Sequence, residues 1–254
     1  MRIGSGWLMR VLLGIDDTDN LESRGTGYRA RQLGLRLAGE GLAQVRGISR
    51  HQLFVHPDIR YTSHNSALCL DLTWGGRPLS ELAELCRSFL RAESAPGSDA
   101  AFCIAPFDEI PDDVVTYGKR AKNTVLNQDM ARELARRTDI HLEGVTGDEG
   151  GVIGALACVG LRKGGHDGRF VWVAGVRELT GVATVAYLLG STGIDIIRTP
   201  DDEILAADAR VLVDPWPRPV LLDDKAVLLI EKIMEGAHGD HDWKIVPKEI
   251  IKQY

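Results

Sequence analysis

The sequence predicts an α/β (α+β) protein of two domains, and three observations carry that prediction. Over the first 110 residues, apolar stretches alternate between strand and helix periodicity in the order β-α-β-β-α-β, the order of a ferredoxin-like sandwich. Glycine- and proline-containing breaks near 23–27, 75–78 and 96–97 separate those stretches. A helical link over 111–140 then leads into a second glycine-rich passage and several short apolar segments, which read as a smaller α/β domain over 141–254.

Taken in order, Val11, Leu12, Leu13 and Ile15 form an almost unbroken apolar ribbon, the pattern of a buried strand. A helix is expected over 28–38, with Leu33, Leu35 and Leu37 partly on its buried side and Gly39 and Gly41 ending it. A strand follows near 44–55. The next, 66–74, alternates Ala67, Cys69 and Asp71 with Leu68, Leu70 and Leu72. Ser80 is placed to cap a helix to about Leu90, in which Leu82, Leu85, Phe89 and Leu90 fall at helical spacing. Residues 100–105 read as the fourth strand, with both predicted helices on one face of the sheet. Residues 106–124 read as linking chain and 125–137 as a surface-packed helix. The glycine-rich passage 144–156 leads into a helix or strand through Val159. Strands at 170–176 and 194–198, a helix over 180–189, further short apolar elements at 211–213 and 226–230 and a rigid loop at Pro215, Pro217 and Pro219 complete the second domain, with a charged, peripheral tail from 238.

A chain of 254 residues can bury a full core, and a 44% hydrophobic, 26% charged composition is that of a globular protein. The net charge of -6 argues against a broad nucleic-acid-binding surface but leaves room for a local basic patch. Cys69, Cys86, Cys103 and Cys158 show neither zinc nor redox spacing and read as buried thiols. Residues 1–7 lack the character of a signal peptide, and no apolar run reaches membrane length, so a cytoplasmic protein without a membrane partner is expected. The sequence does not fix the oligomeric state.

The first strand ends in Asp16, Asp17 and Asp19. Clustered carboxylates repel and desolvate poorly, so they persist where they are solvated, hydrogen-bonded or neutralised. Mg²⁺, a hard cation that usually arrives with phosphates, does the last well. A plain turn is the competing reading, since Asp, Thr and Asn favour turns and caps. Gly25 and the group Gly147, Gly150, Gly151 and Gly154 suit loops that bring backbone amides to a phosphate at a helix start; tight turns and close helix packing explain them equally well. No Gly-Lys-Ser/Thr follows, so the second stretch is not a P-loop.

The run Gly-Ile-Asp-Asp-Thr-Asp at 14–19 resembles the opening of the archaeal tRNA(Ile)-agmatinylcytidine synthetases, and Arg24-Gly25 matches the link that follows it. Two further segments resemble that family in the same order, Tyr-Thr-Ser-His-Asn-Ser-Ala at 61–67 and Gly-Val-Ile-Gly-Ala-Leu-Ala at 151–157. The resemblance covers about 10–160. It implies a kinase-like and ferredoxin-like core that uses ATP and Mg²⁺ for phosphoryl transfer and then ligation, with Asp16, Asp17 and Asp19 as the metal and phosphate cluster. Chemistry of that kind is largely positioning and charge neutralisation. Departures bear on the substrate. The family's G-x-C-T-T reads Gly25-Thr26-Gly27-Tyr28 here, which leaves Thr26 as the hydroxyl closest to the family's phosphorylated threonine. Its basic residues before the second glycine segment are replaced by Asp148, Glu149 and Gly150. Nothing here matches its OB-fold and zinc-ribbon parts, so a shortened relative with a small, unidentified acceptor is expected, tRNA being a doubtful partner.

The candidates are therefore Asp17 and Thr26 as catalytic residues and Asp16, Asp17 and Asp19 as metal ligands. Arg24, Gly25, His64, Asn65, Gly147, Gly150, Gly151 and Gly154 are the candidates for holding ATP. Thr18 reads as a turn brace. Arg24 is as well suited to a structural salt bridge as to a phosphate. His51, His56 and His64 fall in one segment without zinc spacing; His64 beside Asn65 has the better claim to a cleft. Arg50 offers a charge for an anion, and Lys119, Arg120 and Lys122 form a basic run that is usually a solvated face. A Mg²⁺- and ATP-dependent ligase or kinase-like enzyme is the first expectation. A non-catalytic nucleotide- or metal-binding module, or a tRNA-modifying enzyme with a separate RNA-binding partner, are the alternatives.

Overall fold

The computed structural model describes residues 8–62, 64–214, 217–233 and 242–254. Residues 1–7, Ser63, Pro215 and the start of the charged tail therefore lie outside the described residues. Among those described are twelve strands, most paired antiparallel, and seven α-helices. The chain divides into two compact units, 1–164 and 165–254. The boundary thus falls well after 110 and 141: the expected link and the second glycine-rich passage both belong to the first unit.

The first unit opens with β1 (Met9–Asp16), α1 (Thr26–Gly39), β2 (Ala43–Gln52), β3 (Ser66–Trp74), α2 (Leu79–Glu93) and β4 (Ala101–Pro106). It continues through α3 (Asp112–Arg120), α4 (Gln128–Arg137), β5 (His141–Gly144) and α5 (Val152–Gly164). Its strands lie in the order β5-β4-β1-β3-β2, every neighbouring pair antiparallel. β1 is central because its apolar ribbon is buried on both sides.

The alternation along β3 supplies two cores. One face meets α1, where a Cβ at Gly34 would stand 3.3 Å from Ile48, 3.4 Å from Val45 and 3.5 Å from Leu70. Leu33 and Leu37 are buried there, whereas Leu35 is exposed, because two residues turn a helix by about 200°. The opposite face carries Leu12, Ala67, Cys69, Cys103 and Ala105 into one cluster with Val114, Ala155, Leu156 and Val159. Gly14 lets α5 lie directly on β1: a side chain there would run into the Ala155 carbonyl and the Cys158 thiol. Gly118 and Gly160 bring α3 and α5 equally close. A sheet covered on both faces replaces the expected one-sided arrangement.

Several boundaries differ for local reasons. Pro78, not Ser80, takes the N-cap position of α2. The supposed linker holds α3, preceded by Pro111, with Asp112 and Asp113 in its first turn and Lys119 and Arg120 in its last, charges that suit the helix dipole. Asn127 caps α4 by accepting from the Met130 amide at 2.9 Å, so that helix starts later than 125.

The second unit contains β6 (Arg169–Trp172), β7 (Val182–Thr184), α6 (Val185–Ser191), β8 (Ile196–Arg198), β9 (Arg210–Leu212), β10 (Val220–Leu222), β11 (Lys225–Lys232), β12 (Trp243–Ile245) and α7 (Lys248–Ile251). The helix expected over 180–189 is shortened by β7, because Thr184 accepts from the Tyr187 amide and caps α6 there. β11 pairs with β10 and β12 antiparallel and with β8 parallel. Phe170, Leu188, Ile197, Val211, Leu221 and Leu228 share its main core.

Candidate functional site

The first unit contains a cavity of about 410 Å³ at the C-terminal end of β1, within the range of small-molecule sites. The apolar ribbon stops at Asp16, and the chain turns through Asp17 at φ 52°, a left-handed conformation that few residues other than glycine adopt. Thr18 is then fully buried. Its amide and hydroxyl both donate toward Thr26 Oγ1, at 3.3 and 3.1 Å. Thr26 Oγ1 in turn donates to Asp19 Oδ1 at 2.6 Å, and the Thr26 amide reaches the same oxygen at 3.2 Å. Asp19 thus supplies from a distance the acceptor that the N-cap Gly25 lacks, at the positive end of α1.

Asp16 lies against the first turn of α5. A Cβ on Gly154 would collide with its carboxyl group, so the glycine keeps that space open. Gly151 is similarly closed in, 2.8 Å from the Asp16 and Asp99 carbonyl oxygens at its Cβ position. Asp99, just before β4, accepts from the Asp148 amide at 2.7 Å. Gly147, at φ 56°, makes room for that carboxylate. The glycine-rich loop uses its own amides within this fold: Gly151, Val152 and Ile153 donate to the carbonyls of Asp99, Glu149 and Gly150.

Burial raises the Asp16 pKa to about 8, and the neighbouring Asp17 and Asp19 charges add to it against an opposing backbone hydrogen bond from Asp17. Asp17 rises to about 6, again through burial first and then through Asp99 and Asp19. The cavity lining includes six aspartates, Asp16, Asp17, Asp19, Asp58, Asp99 and Asp148. Arg60 is the one Lys or Arg among the described residues that line it. Such a surface rejects a bare anion and favours a cation, or an anion that brings cations with it.

Of the sequence candidates, Asp16, Asp17, Asp19, Thr26, His64, Asn65, Gly150, Gly151 and Gly154 line this cavity, and Arg24, Gly25 and Gly147 do not. Arg24 instead lies over the Tyr28 ring, 4.5 Å from its centroid. Asn65 holds its loop, its amide donating to the Phe54 carbonyl at 2.5 Å. The histidine trio does not assemble: His51 is buried, 2.8 Å from Ser49 Oγ, and His56 stacks on Phe54. Arg50 binds Ser66 Oγ at 2.9 Å, and the run Lys119, Arg120, Lys122 does not line the cavity. Among the described residues no three His, Cys, Asp or Glu side chains converge as a ready-made metal cage. Sequence reasoning missed Asp58 and Asp99. Asp99 sits in a Pro-Gly-Ser-Asp turn before a strand, a setting like that of the first cluster, which was the available signal.

Fold and cavity together define a mixed α/β protein with an acidic cavity at the end of its central strand. No family model matches the chain. The uncharacterized protein MJ0921 of Methanocaldococcus jannaschii is 27% identical over 155 residues, 61% of this chain and 50% of that protein. Among solved structures, a complex of TiaS with an isoleucine tRNA and ATP is similar at 26% identity and a TM-score of 0.52, and a tRNA fluorescent labeling enzyme at 26% and 0.53. Each likeness covers 60% of this chain and 36% of the other. Apo TiaS, a tRNA agmatidine synthetase, shares the fold at 24% identity and 0.51. The chain thus spans half the length of the curated relative and about a third of the solved chains. Over that 60% it has a TiaS-like fold.

Proposed function

We propose that this chain is a Mg²⁺-dependent, ATP-using enzyme of the cytosol, working by phosphoryl transfer or ATP-dependent ligation on a small acceptor. The observation that carries the reading is the pair Asp16 and Asp17 on the cavity lining, their pKa values raised first by burial and then by the neighbouring carboxylates. The ferredoxin-like order expected of the first unit belongs to the same reading, and likeness to a protein crystallised with ATP supports it.

The donors fit the metal. They are hard carboxylate oxygens, and Mg²⁺ is commonly held by one or two of them plus substrate phosphates. A cage of three protein ligands is therefore not required. Asp16 and Asp17 would hold the ion. Bound Mg²⁺ would supply the charge that lets polyphosphate lie against aspartates and would stabilise the leaving oxygens. Thr26 fixes Asp19, since its hydroxyl already donates one hydrogen bond and stands as acceptor to two donors.

Isothermal titration with ATP and Mg²⁺ tests this. Heat that disappears in Asp17→Asn is expected; no heat from folded wild-type protein rules the reading out. The engagement of Thr26 favours, as second reading, a nucleotide- or metal-sensing module, which would bind with the same heat and hydrolyse nothing. A tRNA acceptor rests on the likeness to TiaS, and the net charge of -6 weighs against it.

A further inference from the structure

We infer that Arg60 receives the terminal phosphate of the nucleotide and makes the cavity select a triphosphate over a diphosphate. The inference rests on the Mg²⁺-ATP reading above and names the residue that would give it specificity. Metal at Asp16 and Asp17 leaves phosphate oxygens facing the rest of an acidic lining. The amides of Gly151, Val152 and Ile153 already donate to the carbonyls of Asp99, Glu149 and Gly150. Arg132 is paired with Glu149 at 2.5 Å, and Arg24 is stacked on Tyr28. Arg60 is the one Lys or Arg among the described residues on the lining itself.

Its present partner is a weak one. Arg60 Nη1 stands 3.9 Å from Asp148 Oδ2, and the two side chains are 93% and 83% exposed. An ion pair so long and so solvated contributes little, and a phosphate is a better match to the guanidinium fork than a distant carboxylate. The loop that carries Arg60 is tied down where it leaves and rejoins the sheet. The Leu53 amide donates to the Asn65 carbonyl at 2.8 Å, the Phe54 amide to Ala121 at 2.9 Å, and Thr62 Oγ1 to the Asp19 carbonyl at 3.3 Å. That last bond joins the arginine's loop to the acidic turn itself. A phosphate oxygen at Arg60 would replace Asp148 as the partner of the guanidinium.

The test is titration of Mg²⁺-ATP and Mg²⁺-ADP into wild type, Arg60→Gln and Arg60→Lys. Wild type should prefer ATP. Arg60→Gln should weaken ATP by about 10- to 100-fold, the scale of one charge-assisted bond, and leave ADP within about twofold. Arg60→Lys should recover part of the loss. Equal weakening of both nucleotides would mean that Arg60 only shapes its loop, and no change would mean that it does not meet the phosphate; either result overturns the inference. Absence of binding by folded wild type would overturn the nucleotide reading first and this inference with it, a pattern distinct from the other two.

Discussion

Asp16→Asn isolates the electrostatic claim on which the site depends. With its pKa at about 8 in the folded protein against an ordinary 3.8, Asp16 takes up a proton on folding at pH values between those two. Unfolding then releases it. A raised carboxylate stabilises the fold fully below about pH 4, and that contribution is lost as pH rises through about 8. Asp17, at about 6, is half ionised in the folded state at pH 6 and about nine-tenths ionised by pH 7, so Asp16 dominates the slope in the upper half of the pH 6–8 window. One proton is worth a ceiling of about 1.4 kcal/mol per pH unit. Asp16 keeps some contact with solvent, so roughly half of that is the working figure. For a unit of this size it amounts to a fall in Tm of about 1–3 °C per pH unit without divalent cations. Asparagine has no proton to lose, and its curve should be flat by comparison. Mg²⁺ should raise the wild-type Tm more at pH 8 than at pH 6 and leave the variant unmoved. Thermal unfolding of both proteins at half-unit steps, in chelator and in Mg²⁺, measures this. Parallel wild-type and variant curves from pH 6 to 8 would show that Asp16 is ionised in the fold and refute the reasoning.

Thr26→Val removes the hydroxyl shared by Thr18 and Asp19 and should lower stability by about 1–3 kcal/mol in denaturant unfolding, whereas Thr26→Ser should restore it, because bonding rather than shape is lost. Asp71→Asn should be more severe. Asp71 is 1% exposed, bonded to Arg10 at 2.7 and 3.1 Å and to the buried Arg162 at 2.6 Å, so the change strands buried positive charge at about 3–5 kcal/mol, measurable as an early urea midpoint.

The readability of this chain tracks the range of the interactions involved. β1 and β3 are legible because an apolar ribbon and a strict alternation are local signals, and the bounds of β3 match the expected 66–74. The start of α1 is not, because its cap comes from Asp19, seven residues upstream of the amide it serves. α3 is hidden because Gly118, which reads as a helix breaker, is there to bring the helix onto α5. Domain limits fail for the same reason: α5 belongs to the first unit through Gly14 and Gly160, contacts between segments over a hundred residues apart or hidden in a helix face.

The same distinction explains why only half of the acidic site was visible. Asp16, Asp17 and Asp19 announce themselves by adjacency, whereas Asp99 and Asp58 reach the cavity from other loops, and no window along the chain contains them together with the first cluster. The glycines show the converse. Gly150, Gly151 and Gly154 suggest a phosphate cradle when read alone, yet Gly151 and Gly154 are there so that α5 can approach the Asp16 backbone and carboxyl group. That approach buries Asp16, and burial is the leading cause of its raised pKa. On the reading proposed above, the second glycine segment would act on a ligand through the carboxylate, by burying it. If Asp16 holds a metal, Gly154→Ala, which would push a side chain into that carboxyl group, is expected to weaken Mg²⁺ binding in a calorimetric titration.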